Sequence, residues 1–261
     1  MARTTLDFYE DLAEYYHLIF DDWNKSIERQ AGILNSLLLA QSPYSSLKLL
    51  DCACGIGTQA IGFAQLGHRV VASDLSRAAV ARARIEAKRR GLEIPFFVSD
   101  MTSLAEIQDT GFDVVAALDN ALPHLTPAQI GQAVRAMSSR LKPNGLFMAS
   151  IRDYDQIAVQ RSAVQEPAFY GREGERRIVH QVWEWIDRER YVVHLFITAQ
   201  SGETWSSHHF ESEYRCLLRR ELSSALEDGG LEEVRWLTPQ ESGFYQPIVL
   251  ARKGQRLVAV P

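Results

Sequence analysis

Between residues 46 and 152 the chain alternates apolar runs of strand length with longer amphipathic stretches, and this alternation restricts the fold more than any other feature. "LKLLDCA", "RVVASD", "IPFFVSD", "FDVVAALD" and "LFMASIR" are near-continuous apolar runs. Strands of that texture are buried on both faces, as in a parallel sheet with helices above and below. The stretches between them supply the helices. "TQAIGFAQLG" stops at Gly67 and "SRAAVARARIEAKRRG" stops at Gly91. "TPAQIGQAVRAMSSRLK" starts with Thr126 at the N-cap and Pro127 at N1. The expected class is α/β, with a doubly covered, mostly parallel sheet.

The flanking segments read differently. Residues 5–40 place aromatic and aliphatic side chains at three- and four-residue spacing, which predicts helix, and "QSPYSS" breaks the pattern. After residue 152, "RRIVHQVWEWID", "RYVVHLFITAQ" and "TWSSHHFESEYRCLL" are separated by "DRE" and "SGE", which predicts an antiparallel meander. "RRELSSALEDGG" is a helix with a double-glycine stop, and "LEEVRWL" and "QPIVLARK" are the last strands. Four segments follow: a helical cap or lid (1–45), a Rossmann-like core (46–152), an antiparallel insertion on the substrate side (153–218), and a final helix and strand pair completing the core (219–261).

Charge and cysteine usage exclude several functions. A net charge of −5 does not suit wrapping a phosphate backbone. The basic cluster 77–90 has helical spacing and reads as a solvated helix face. "MARTTLDFYEDLAEYY" lacks the basic start and apolar core of a secretory signal, and no apolar run approaches the roughly 20 residues that cross a bilayer. Cys52, Cys54 and Cys216 do not make a disulfide framework and point to a reducing compartment. A cytoplasmic protein is expected, with a small-molecule partner and neither nucleic acid nor membrane. Cys52 and Cys54 have no second pair to complete a metal site. His208 and His209, adjacent in a strand, face opposite ways. No metal site is expected.

"LLDCACGIGTQA" holds the chemistry of the core. Gly55 and Gly57, with Ala60 three residues on, match the glycine turn of dinucleotide folds. Alone this pattern leaves NAD open. Asp51, just before the glycines, would repel a pyrophosphate and attract an ammonium or a sulfonium. Asp74 ends the second strand, where a carboxylate accepts both ribose hydroxyls. Asp100 ends the third, within reach of an adenine amino group. Each acid taken singly is also a plausible helix N-cap or turn residue. Their recurrence at successive carboxyl ends, the ligand edge of an open α/β sheet, argues for a site.

With these acids and this turn, the chain resembles the class I S-adenosylmethionine-dependent methyltransferases over residues 5–150 and the final strand pair. The resemblance implies a seven-stranded sheet with its last strand antiparallel, and an enzyme that turns S-adenosylmethionine into S-adenosylhomocysteine. It implies that Asp51 and the backbone of Ala53, Cys54, Gly55 and Gly57 face the methionine moiety. Asp74 would face the ribose, Leu75, Asp100 and Met101 the adenine, and Leu118 and Asp119 the same pocket. A leading helix closes over the cofactor in related enzymes, which makes Tyr9, Tyr16 and Arg29 candidates for its carboxylate. The same aromatics also fit a plain packing stripe.

The acceptor side rests on two further stretches. "LDNALPHL" (118–125) is similar to the "GNSFxHL" of the glycine and glycine/sarcosine N-methyltransferases, with Asn120, His124 and Leu125 in register. "IRDYDQI" is similar to the "IDHRNYDxI" after strand five of the same enzymes, with Arg152, Tyr154 and Asp155 matching. This resemblance implies Asn120 and His124 beside the reacting groups and Arg152 on an amino-acid carboxylate, with Tyr154, Tyr170 and Tyr245 completing the pocket. Trp183, Trp185 and Trp205 are candidates for boxing a cationic amine, or for the core. Asp119 stands where those enzymes have glycine, Ala121–Pro123 replace Ser-Phe-x, and Ser150-Ile151 replace Asp-His. The expected activity is N-methylation of a small amine or amino acid, glycine- or sarcosine-like. A small-molecule O-methyltransferase, with His124 as base, and a non-catalytic S-adenosylmethionine-binding partner protein are the alternatives. A homo-oligomer is left open.

Overall fold

The computed structural model describes residues 4–255. The chain opens with a broken helical cap. It comprises α1 (Thr5–Leu12), a 3-10 turn (Tyr16–Ile19) and α2 (Trp23–Leu39). The expected single helical stretch over 5–40 is interrupted because Asp22 takes an extended conformation and caps α2, accepting from the Asn24 and Lys25 amides. The core then runs β1 (Lys48–Asp51), α3 (Thr58–Gln65), β2 (Arg69–Asp74), α4 (Arg77–Arg89), β3 (Phe96–Val98), β4 (Phe112–Ala117), α5 (Pro127–Arg140) and β5 (Leu141–Ser150). A short α6 (Tyr154–Gln160) leads into β6 (Ala168–Tyr170), β7 (Arg177–Trp185), β8 (Arg190–Ser201) and β9 (Thr204–Arg215). The chain closes with α7 (Arg219–Asp228), β10 (Leu231–Leu237), α8 (Pro239–Ser242) and β11 (Ile248–Lys253). Residues 1–3 and 256–261, the outer ends of the first and last expected segments, lie outside the described residues.

The main sheet has seven strands in the order β10-β11-β5-β4-β1-β2-β3. β1 to β5 are parallel, and β11 runs antiparallel to both β5 and β10. The chain has the Rossmann-like methyltransferase fold, and a second, antiparallel sheet is built from β6 to β9 in sequence order. Asp51 and Asp74 are the last residues of β1 and β2, while Asp100 stands two residues beyond β3. The meander was legible in the sequence; α6 and β6 were not, being short and without strong periodicity. None of the helices among the described residues is long and apolar enough to cross a membrane.

Two cores sandwich the main sheet. On one face, Ile27, Leu34 and Leu38 of α2 pack with Ile61, Phe63, Val80 and Ala83 of α3 and α4. On the other, Ile130, Val134 and Met137 of α5 join Leu222 and Leu226 of α7 and the inner face of the second sheet: Trp183, Tyr191, Val193, Leu195, Phe210 and Tyr214. The basic cluster on α4 is more than a solvated face. Arg82, Arg89 and Arg90 converge on the buried Glu86, and Arg90 also lies over the Trp23 ring. The cap is tied down at several points. Trp23 Nε1 donates to Thr58 Oγ1 at 2.9 Å, and the Glu10 carboxylate accepts the Arg77 amide at 2.5 Å at the start of α4.

The close approach of α2 to α3 depends on Gly62. A Cβ there would lie 2.5 Å from Ala31 Cβ and 3.0 Å from the Ile27 carbonyl oxygen. Gly62→Val should therefore overpack this contact and cost about 1–3 kcal/mol. Thermal denaturation should show Tm falling by roughly 2–4 °C for each kcal/mol lost.

Candidate active site

The glycine turn is shaped by the strands around it. The Cys52 amide donates to the Ala116 carbonyl at 2.8 Å and the Cys54 amide to the Ser73 carbonyl at 2.9 Å, which extends the sheet's hydrogen bonding past the end of β1. Gly57 then caps α3 at φ +95°. Only glycine fits there, because a Cβ would also lie 3.0 Å from Ile61 Cδ1 and 3.3 Å from Ala83 Cβ. Gly55 donates its amide to Asp74 Oδ2 at 2.8 Å, so Asp74 holds the turn against the end of β2. Its other oxygen accepts the Ser76 amide at 2.9 Å.

A cavity of about 190 Å³ opens over this turn. Its walls include Ala53, Gly55, Asp74, Leu75, Asp100, Met101, Leu118 and Asp119 from the expected cofactor set, with Tyr9 and Tyr16 from the cap. Thr5, Leu6, Cys52, Ser76, Ser99 and Gln129 also line it and were not singled out from the sequence. Cys54 and Gly57 lie behind the wall, and Arg29 lines a different cavity.

Asp51, also expected in the cofactor set, sits beneath this turn, 2% exposed and outside both cavity walls. Its Oδ1 accepts the Ala53 amide at 3.2 Å, while its buried Oδ2 has no hydrogen-bond partner among the described residues. Burial pushes its pKa up to about 7, against the lowering effect of the Ala53 amide. A buried, half-satisfied carboxylate is costly until a cation joins it. This orphaned oxygen suits the ammonium-bearing methionine end of S-adenosylmethionine and is unsuited to a pyrophosphate.

β4 ends in two consecutive non-glycine residues in the left-handed region, Asp119 at φ +55° and Asn120 at φ +66°. Such a pair needs external support. Ser150 of β5 provides it, its Oγ accepting the Asp119 amide at 2.9 Å and its carbonyl the Asn120 amide at 3.1 Å. The Asn120 side chain is fully engaged: Oδ1 accepts the Arg152 amide at 2.9 Å and Nδ2 donates to the Tyr154 hydroxyl at 3.0 Å. Asn120 and Tyr154 thus brace the turn, and Tyr154, wholly buried, lies outside both cavity walls.

His124 lines the smaller cavity with both ring nitrogens occupied. Nδ1 lies 3.2 Å from the Glu213 carbonyl, which only accepts, so Nδ1 carries the proton and Nε2 receives the Tyr9 hydroxyl at 2.9 Å. Burial lowers its pKa to about 3. In this arrangement His124 anchors α1 over the cavity and has no nitrogen turned toward a substrate.

A second cavity, of about 610 Å³, lies between the carboxyl edge of the main sheet and the inner face of the second. Tyr9, Tyr16 and Asp119 line both cavities and mark their junction. Asp119 is half-buried, with its pKa raised by desolvation; Oδ2 accepts Gln59 Nε2 at 2.7 Å and Oδ1 accepts the Tyr245 hydroxyl. Gln59 Nε2 also donates to Gln30 Oε1 at 2.8 Å. Arg29, Asn120, Arg152 and Tyr245 line this larger cavity too.

Arg152 is a half-buried cation whose side-chain partners among the described residues are neutral. Nη1 donates to the Tyr191 hydroxyl at 3.1 Å and Nη2 to Gln181 Oε1 at 3.4 Å. Its guanidinium lies 5.0 Å from the Trp183 ring centroid and 5.1 Å from that of Tyr214. Burial disfavours the charge, but Tyr191, Tyr154 and Tyr214 more than offset this and its pKa is raised.

Two expected acceptor features fall elsewhere. Tyr170 is not part of the wall and lies beneath the Arg177 guanidinium. The three tryptophans do not converge. Trp183 faces the cavity under Arg152, Trp185 packs on Tyr191 and Arg161, and Trp205 stands exposed on β9. Gln59, Gln181, Tyr191 and Tyr214 were missed, because polar residues inside helical or strand patterns carry no motif.

Residues 49–145 match the model of the methyltransferase domain family. A curated relative, the ubiquinone biosynthesis O-methyltransferase of Ruegeria pomeroyi, is 36% identical over 125 residues, 48% of this chain and 49% of the relative. The match thus spans about half the length of the curated relative. Among solved structures, an S-adenosylmethionine-dependent methyltransferase from Clostridium acetobutylicum superposes with TM-score 0.74 at 17% identity, covering 95% of this chain and 99% of the other. CalS10, an amino pentose methyltransferase from Micromonospora echinaspora solved with S-adenosylmethionine bound, gives 0.70 at 20% identity, covering 87% and 92%. At these identities the likeness concerns the fold.

If the buried Asp51 holds the cofactor's cationic end as the sequence suggests, cofactor binding should depend on pH. A proton held with a pKa of about 7 must leave before the carboxylate pairs with a cation. S-adenosylhomocysteine affinity should rise with pH up to about 7, by at most roughly tenfold per unit, and level off above it. Calorimetry from pH 5.5 to 8.5 checks this, and Asp51→Asn should flatten the profile.

Proposed function

We propose that this chain is a class I S-adenosylmethionine-dependent methyltransferase and that it methylates the nitrogen of a small amine that also bears a carboxylate. The observation that carries the reading is Arg152: a half-buried guanidinium whose side-chain partners among the described residues are neutral, facing the same cavity as the half-buried carboxylate of Asp119. A cation of this kind is completed by an anionic ligand, and its planar fork suits a carboxylate. Asp119, at the junction of the two cavities, is the group placed to hold the acceptor's ammonium.

S-adenosylmethionine, when bound, supplies a methyl group already activated by the sulfonium. The protein's task is to position the acceptor and free its nitrogen lone pair. Asp51 and the glycine turn would hold the methionine end, and Asp74 the ribose. Leu75, Asp100 and Met101 would hold the adenine. Asp119, its pKa raised by burial, would accept the proton that the ammonium gives up. Tyr9 and Tyr16 would close the junction to water, with Tyr9 held by His124.

O-methylation is the second reading, favoured by the name of the curated relative. A hydroxyl acceptor needs a base, and Asp119 rather than His124 would fill that role here. A labelled-methyl screen over amino acids, biogenic amines and phenols separates the two. Carboxylate-bearing amines should be the best acceptors; preferential labelling of phenols would sink the N-methyl reading. Arg152→Met should raise KM for those acceptors about ten- to hundredfold with a smaller change in kcat. Amines without a carboxylate should be little affected. Unchanged kcat/KM on a carboxylate-bearing acceptor would overturn the assignment of Arg152.

A further inference from the structure

The outer face of the second sheet carries a cluster remote from the chemistry above. β8 and β9 pair so that His194 lies opposite Glu211 and Phe196 opposite His209. Side chains alternate along a strand, so His209 and Glu211 share the outer face with His194, while Phe210 between them enters the core. The adjacent histidine pair is split as alternation requires. His208 stacks on Tyr15 of the cap at 4.0 Å, and the His209 ring lies against His194 at 5.2 Å. The second imidazole comes from the neighbouring strand, a pairing that spacing within one strand cannot reveal.

The donor atoms are close enough for one ion. His194 Nδ1 is 3.0 Å from His209 Nε2 and 3.7 Å from Glu211 Oε2, and one ligand atom from each of the three residues lies within 4.8 Å of the others. Two ligands on a tetrahedral zinc, each bound at about 2.0–2.1 Å, stand roughly 3.3 Å apart. A further group supports the arrangement. His194 Nε2 is 3.3 Å from Glu184 Oε2. An ionised carboxylate only accepts, so Nε2 carries the proton and Nδ1 turns its lone pair toward His209. Histidines that bind metals are regularly oriented in this way, by a carboxylate on the other ring nitrogen.

We infer that His194, His209 and Glu211 form a surface site for one divalent transition ion of the zinc class. The ion is bound through His194 Nδ1, His209 Nε2 and a Glu211 carboxylate oxygen, and Glu184 orients His194. Two imidazoles and a single carboxylate select zinc, copper or nickel over magnesium and calcium, which favour all-oxygen shells. In the metal-free protein the Nδ1–Nε2 contact is an N–H···N hydrogen bond with the proton on His209 Nε2. The ion replaces that proton, and His209 carries it on Nδ1 instead. This revises the metal-free expectation drawn from the sequence.

Calorimetric titration of the untagged full chain with zinc chloride tests the site, with magnesium chloride as the contrast. One zinc per chain should bind, and magnesium should not. His194→Gln and His209→Gln should each weaken zinc binding by at least roughly tenfold, and Glu184→Gln by roughly ten- to hundredfold. His208→Gln, on the other face, should leave the affinity unchanged. Zinc should raise the Tm of the wild type and not that of His194→Gln; all variants should match the wild type in EDTA, which establishes that they are folded. No zinc uptake by the wild type at roughly 0.1 mM, or wild-type affinity in both histidine variants, would overturn the site.

Discussion

One buried serine holds together the part of the structure on which the site depends. Ser150, at the end of β5, accepts the Asp119 amide on its hydroxyl and the Asn120 amide on its carbonyl, and donates its own proton to Gln246. Those bonds offset the strain of two successive left-handed residues at the end of β4. The turn they stabilise carries Asp119 to the junction of the two cavities. It also turns Asn120 inward, where its side chain receives the Arg152 amide and supports Tyr154. The walls of the two cavities are thus linked through a few hydrogen bonds at adjacent strand ends.

The electrostatics of the site follow from burial. Asp51 is a buried carboxylate and Asp119 a half-buried one, and desolvation raises both pKa values. Among the described residues, neither has a cation as a hydrogen-bonding partner: Asp51 has the Ala53 amide, and Asp119 has Gln59 and Tyr245. Arg152 is the counterpart of opposite sign, held by neutral hydroxyl, amide and aromatic groups. A protein that buries charges without pairing them directs their energy toward ligands that bring the opposite charge. His124 is a contrasting case. Burial keeps it neutral, and its two hydrogen bonds make it an anchor for the cap.

Much of the fold was legible because its determinants are local. Near-continuous apolar runs, the cap at Thr126, the stop at Gly91 and the glycines at 55 and 57 each act within a few residues, and the structure places β1, β2, α4 and α5 where they point. The break in the cap was less visible, because Asp22 looks like any acid on a helical face until its capping bonds are seen. A resemblance to known motifs singled out Asn120 and Arg152, but which atoms they engage depends on Tyr154, Tyr191 and Gln181, from α6, β8 and β7. Tyr170 shows the converse: its place beside the acceptor was expected, yet the register of β6 on β7 sets it against Arg177.

The sequence by itself determined the strand–helix rhythm, the strand-end acids and the glycine turn, because backbone propensity and side-chain periodicity operate over one or two turns of chain. Only the tertiary structure decided which distant groups share a space. It joined Asp119 to Gln59 and Tyr245, laid Arg152 between Trp183 and Tyr214, and brought His194 beside His209 and Glu211. Those meetings are set by strand register and by the packing of a second sheet against the first. Both arise from contacts between residues far apart in the chain, and no local pattern encodes them.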